Sequence, residues 1–185
     1  MAFQCMFAVL TPALITGAFA ERINFKGFAV LMLLWTIFIY NTMAHWVWSG
    51  GFLAQLGALD FAGGLVFHIL SGVSGLTICI LIGKRRGYGK SAMLPHNIPL
   101  TVLGAAGLFI GWIGFNAGSA LGANELAANA FLVSQAATGA GILGWVLIEW
   151  KRGGKPTILG AVSGGIAGLV AITPAAGFVT ARLRF

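Results

Sequence analysis

Apolar residues in this chain fall into blocks of about twenty, with polar residues gathered in short linkers between them. Six spans can be drawn, at about 2–20, 27–48, 61–83, 98–118, 127–150 and 157–180. Each approaches the roughly 20 residues that carry an α-helix across a bilayer. The linkers leave no room for a soluble domain, so the pattern predicts an all-α, polytopic membrane helix bundle forming a single domain. Within the spans, small residues recur at helical spacing. Gly104, Gly107, Gly111, Gly114 and Gly118 form one stripe on the fourth span, and Gly160, Gly164 and Gly168 another on the sixth. Both predict close helix packing.

Composition sharpens this reading. The chain has 185 residues, 58% hydrophobic and 8% charged, and its mean hydropathy is +0.93. A soluble surface needs far more charge than that. Cys5 and Cys79 both lie in apolar stretches and read as small buried hydrophobes, with no disulfide or metal spacing. Ala18-Phe19-Ala20 imitates a signal-peptidase site, but no Lys or Arg precedes the apolar run and Pro12 interrupts it, so no cleaved signal is expected.

The formal charge of +7 is a topology signal rather than a nucleic-acid signal. Nine of the eleven Lys and Arg residues lie in the linkers after spans 1, 3 and 5: Arg22, Lys26, Lys84, Arg85, Arg86, Lys90, Lys151, Arg152 and Lys155. The linkers after spans 2 and 4 hold Asp60 and Glu125 and no base. The positive-inside rule then puts the basic linkers inside and both chain ends outside. Arg182 and Arg184 break the rule.

Few polar groups remain that could carry chemistry. His68 lies well inside the third span, and an ionisable residue there is expensive enough to suggest function. It lines a pore or glues helices by a hydrogen bond. Asp60 opens the same stretch, as an N-cap for the following turn or as a direct binding group. If the stretch from Asp60 is helical, His68 lies roughly 12 Å deeper along the axis. Trp48 ends the second span as an interfacial anchor or a cation–π surface. Phe3 and Phe7 share a helix face, as do Phe115 and Ser119. π faces, one hydroxyl and a nearby acid are the chemistry of a small-cation site. His45 and His96 read as structural. Neither enzymatic activity nor a cofactor is expected.

Five stretches are distinctive: ALITGAFAERINF (13–25), AHWVWSGGFLAQLGALDFAGGLVFHI (44–69), IGKRRGYGKSAMLPHNIPL (82–100), GWIGFNAGSALGANELAANAF (111–131) and GKPTILGAVSGGIAGLVAITPAAGF (154–178). Together they resemble the ammonium transporter family of Amt and Mep proteins, relatives of the Rh proteins, and are more similar to the Amt branch. The resemblance implies an eleven-helix, inverted-repeat fold assembled as a homotrimer with one pore per subunit. This chain looks like its middle, about six spans, incomplete at both ends, because the second pore histidine is absent and the final ARLRF does not match.

By the same resemblance, Trp48, Ser119 and Phe3 match an outer ammonium-recruiting site, and Asp60 the acid that shapes it. Phe7 and Phe115 match the rings that gate the pore, His68 the first relay histidine, and Thr173 a pore-lining position. Implied partners are ammonium or ammonia, membrane lipid and a P-II-type regulatory protein, not nucleic acid. The resemblance leaves two other readings open: an ammonium sensor of the same fold, and a truncated relic that does not conduct.

Overall fold

Four of the helices start at a residue whose side chain caps them. Asn24, Asn97, Asn124 and Thr157 each accept a hydrogen bond from the backbone N–H three residues on, at 2.7 to 3.0 Å, which satisfies one of the donors a helix N-terminus leaves open. In the computed structural model, which describes residues 2–181, the helices are α1 (Ala2–Ile15), α2 (Phe25–Trp35), α3 (Asn41–Trp48), α4 (Phe52–Gln55), α5 (Leu70–Ile82), α6 (Ile98–Trp112), α7 (Glu125–Gly153) and α8 (Ile158–Ile172). Arg182 and Arg184 lie outside the described residues.

Wider π-helical turns join or extend these helices at Thr36–Tyr40, Gly64–Ile69 and Ile113–Ala117. Such turns are often placed at functional sites. Four mainly helical stretches are long and apolar enough to cross a membrane: Phe25–Gln55, Gly64–Ile82, Ile98–Ala120 and Glu125–Gly153. The first and sixth expected spans are shorter apolar helices, Ala2–Ala18 and Ile158–Ile172. The sixth ends early because the chain turns through Thr173 and Pro174, and proline cannot continue the hydrogen-bond ladder.

The chain divides into two compact units, with the boundary between Leu94 and Pro95. In the first, α1 packs on α5. Phe7, Thr11, Ile15 and Phe19 are buried, and a Cβ at Gly75 would touch Ala18 at 3.5 Å. The Trp35 indole donates to Ser74 Oγ at 2.9 Å, tying the second span to the third. Arg22 donates to the carbonyls of Ala18 and Gly83, and Arg85 pairs with Glu21. These bonds set the linkers after spans 1 and 3 at one end of the unit, as the charge pattern requires.

The cysteines depart from expectation. Cys5 is exposed, and Cys79 is half-buried beside the Arg22 guanidinium at 3.1 Å rather than enclosed by apolar groups. Helix position decides this: Cys5 sits on the outward face of α1, and Cys79 near the polar end of α5.

In the second unit, α7 and α8 approach until their backbones touch. A Cβ at Gly168 would lie 2.1 Å from the Ala137 carbonyl oxygen, and one at Gly164 2.5 Å from that of Gly141. Such contact lets dispersion, rather than hydrophobic expulsion, hold helices together in lipid. The stripe on the fourth span behaves differently. Cβ atoms at Gly104, Gly107, Gly111 and Gly114 would meet nothing within 4 Å among the described residues. The large outward side chains, Ile80 and Ile110 among them, are apolar, as lipid contact demands.

Candidate functional site

The first unit gathers five of the sequence-selected residues around one turn. Asp60 does not lie in a helix. The chain bends through Phe61 and Ala62, and helix begins only at Gly64. The helical step from Asp60 to His68 therefore does not apply. Asp60 reaches forward instead. Its Oδ1 accepts from the N–H groups of Gly63 and Gly64 at 2.9 and 2.6 Å, and its Oδ2 from those of Leu65 and Val66 at 2.8 and 3.2 Å. One buried carboxylate thus takes four backbone donors, and the positive end of the helix balances its charge. The cap takes in Gly63 and Gly64 of the Phe61–Gly64 turn and extends past it to Leu65 and Val66.

Gly63 makes the bend possible. Its φ is +101°, in the left-handed region, and a Cβ there would lie 3.0 Å from Cε1 of Phe7 and 3.2 Å from Cβ of Phe67. The Gly63 carbonyl accepts from both Phe67 and His68 N–H, at 2.7 and 3.2 Å, and the second bond widens the turn. Val66, Phe67 and His68 are all buried in consequence.

Aromatic rings pack above this turn. The Trp48 indole donates to the Asp60 carbonyl at 2.9 Å, which fixes its plane. Phe7 stands edge-on to Trp48 at 5.4 Å between ring centroids, to Phe3 at 5.2 Å and to Phe67 at 6.1 Å. Phe67 in turn meets His68 edge-on at 4.9 Å. A continuous aromatic path thus leads from Phe3 and Trp48, half-buried, through buried Phe7 and Phe67 to the buried imidazole. Edge-to-face contacts leave electron-rich faces available to a cation.

In the second unit, Ile113–Ala117 carries Phe115. Trp112 joins it to Thr173: the rings of Trp112 and Phe115 lie 5.6 Å apart, and Trp112 Nε1 donates to Thr173 Oγ1 at 3.0 Å. Thr173, fully buried, donates to the Leu169 carbonyl. Asn116 Nδ2 donates to Ser134 Oγ at 2.9 Å and braces the same turn against α7. The Ser119 hydroxyl donates to the Phe115 carbonyl at 2.7 Å. With its proton committed there, Ser119 Oγ offers lone pairs, the polarity a cationic N–H donor requires.

His45 is exposed and lines an open cleft with Gln4, Tyr40, Asn41 and Ser49. His96 is exposed in the linker. The sequence reading missed Phe67, Trp112 and Asn116. The signal for Trp112 was its step of three to Phe115 on one helix face. Phe67 carried none, because it is one more apolar residue in an apolar run.

The apolar helices, four of them long enough to cross a bilayer, define a multi-pass membrane protein. Comparison with known proteins gives its family. A model of the Ammonium Transporter Family matches residues 1–182, and the chain belongs to that family, one of transporters of the cell membrane.

It is 57% identical to an ammonium transporter of Bacillus subtilis, over 97% of this chain and 44% of the relative. The crystal structure of Saccharomyces cerevisiae Mep2 superimposes with a TM-score of 0.90 at 42% identity, over 96% of this chain and 41% of Mep2. A structure described as a sensor Amt protein gives a TM-score of 0.89 at 30% identity, over 96% of this chain and 47% of that one. The chain therefore spans less than half the length of the relatives it matches.

Proposed function

We propose that this chain is the middle part of an ammonium transporter, that it recruits ammonium at an outer aromatic site, and that it passes ammonia on while a histidine relays the proton. The observation that carries this reading is the aromatic path ending on His68, with Trp48 oriented by the Asp60 carbonyl. In the first unit Trp48 and Phe3 supply π faces; in the second, Ser119 offers an acceptor oxygen. Asp60 acts by shaping the turn, since its carboxylate oxygens are occupied by backbone donors. Phe7 and Phe115 act as gate rings, and Thr173 lines the pore.

Magnitudes favour splitting ion from proton. Bringing a small cation into a dry, low-dielectric path costs on the order of 20 kcal/mol in the idealised limit. Cation–π contact returns about 2 kcal/mol when desolvated, and a charge-assisted hydrogen bond about 1.5–3 kcal/mol. These select ammonium at the mouth but do not carry it inward. Deprotonation at the mouth removes the penalty: neutral ammonia passes the rings, and the proton leaves by way of His68.

The working unit in this proposal is a full-length homotrimer in the cell membrane, with a P-II-type protein as its regulatory partner. The 185-residue chain alone is expected not to transport, because half of an inverted repeat leaves polar lining facing lipid. The likeness to a sensor Amt protein supports a second reading, in which the same site reports ammonium without significant flux.

The test is a chimera in which this chain replaces the matching segment of the Bacillus subtilis relative. It should support uptake of methylammonium, whereas His68→Ala should abolish uptake or admit other ions. Selective, undiminished current in that variant would remove the relay from the mechanism. A correctly inserted chimera that binds methylammonium without taking it up would favour the sensor.

A further inference from the structure

At the linker end of the second unit, the last turns of α7 and the linker that follows form a cleft of about 640 Å³ lined by Trp145, Ile148, Glu149, Arg152, Lys155 and Thr157. None of the roles assigned above uses it. Trp145, Ile148 and Arg152 follow at steps of three and four along α7 and so share one face. Arg152 lies about 10 Å beyond Trp145 along the axis. α7 has 29 residues. At 1.5 Å per residue that is about 43 Å, longer than the roughly 30 Å hydrocarbon core of a bilayer. Its last turns therefore reach the headgroups, with Trp145 and Ile148 at acyl depth below them.

The mouth of the cleft is cationic. Arg152 and Lys155 are exposed, and neither has an anionic partner among the described residues. The one carboxylate of the cleft is committed elsewhere. Glu149 Oε2 accepts from Thr157 N–H at 2.9 Å, and both of its oxygens accept from Thr157 Oγ1 at 3.1 Å. Glu149 sits over the first turn of α8, where only glycine at position 160 leaves it room. The positive end of α8 thus compensates Glu149, and the two basic side chains stay unbalanced.

We infer that this cleft binds an anionic phospholipid of the leaflet that meets the basic linkers, its phosphate held by Arg152 and Lys155 and its acyl chain along Trp145 and Ile148. Charge complementarity selects the anion, and the apolar wall selects a lipid over a free ion. Basic pockets between membrane helices on the positive side recognise anionic headgroups in this way.

The experiment reads tryptophan quenching of the purified chain in phosphatidylcholine vesicles doped with brominated phosphatidylglycerol or brominated phosphatidylcholine. The part of the signal lost in W145F should be quenched more by the anionic lipid. The preference should fall about fivefold in each of R152Q and K155Q, and further in the double variant. It should persist in K84Q/R86Q, which alters the basic linker after span 3. The single variants decide the matter if the double variant does not fold. Equal quenching by the two lipids, or an equal loss in K84Q/R86Q, would overturn the site in favour of general surface potential. Relief of quenching by added inorganic phosphate would overturn the lipid and leave an anion site.

Discussion

Asp60→Ala should separate architecture from chemistry at the candidate site. Removing the carboxylate strips acceptors from four N–H groups, of which Gly63, Gly64 and Val66 are buried and Leu65 half-buried. A hydrogen bond to a charged group contributes roughly 1.5–3 kcal/mol, and a buried donor left open costs about 1–3 kcal/mol. If water entering the bend recovers half of that, the loss is still about 4 kcal/mol, well above the roughly 1 kcal/mol of an ordinary exposed N-cap. For a domain of this size each kcal/mol lowers the melting temperature by about 2–4 °C, so a drop of about 10 °C is expected. Asp60→Asn keeps one acceptor oxygen and should lose about half as much. The assay is thermal unfolding of the purified chain in detergent, followed by tryptophan fluorescence. Trp48 should report early, because its indole hydrogen bond ends on the Asp60 carbonyl. A melting temperature for Asp60→Ala within about 2 °C of the parent would refute the capping argument and return the carboxylate to direct ligand binding.

Other outcomes follow from the same geometry. Gly63→Ala places a Cβ 3.0 Å from the Phe7 ring at a φ of +101°, and should cost about 1–3 kcal/mol, read as a lower melting temperature and altered near-ultraviolet dichroism of the aromatic cluster. Gly168→Ala should lower the melting temperature by several degrees by forcing α7 and α8 apart. Gly107→Ala should leave it unchanged or slightly raised, since its Cβ enters open space and alanine favours helix. Equal effects of these two variants would refute the assignment of the α7–α8 contact.

Much of the architecture was legible in the chain itself. The apolar blocks located the helices, because a bilayer requires about twenty apolar residues per crossing and full internal hydrogen bonding. Asp60 was legible as a cap, because capping is local chemistry within a few residues, whereas the structure added Asn24, Asn97, Asn124 and Thr157. The distinctive stretches around Trp48, Asp60 and His68 carried the family.

Tertiary structure decided what local pattern leaves open. Two glycine stripes of similar spacing have different roles, since spacing fixes which residues share a face but not what that face meets. Asp60 was legible as a cap, but not as the acceptor of four donors, because that depends on the left-handed Gly63 folding the chain back beneath it. Phe67 was invisible as a site residue for the same reason, and Trp112 offered only its step of three to Phe115. In a chain this apolar, hydrophobicity does not distinguish a ring facing lipid from one facing His68 or Thr173, and only packing across helices separates them.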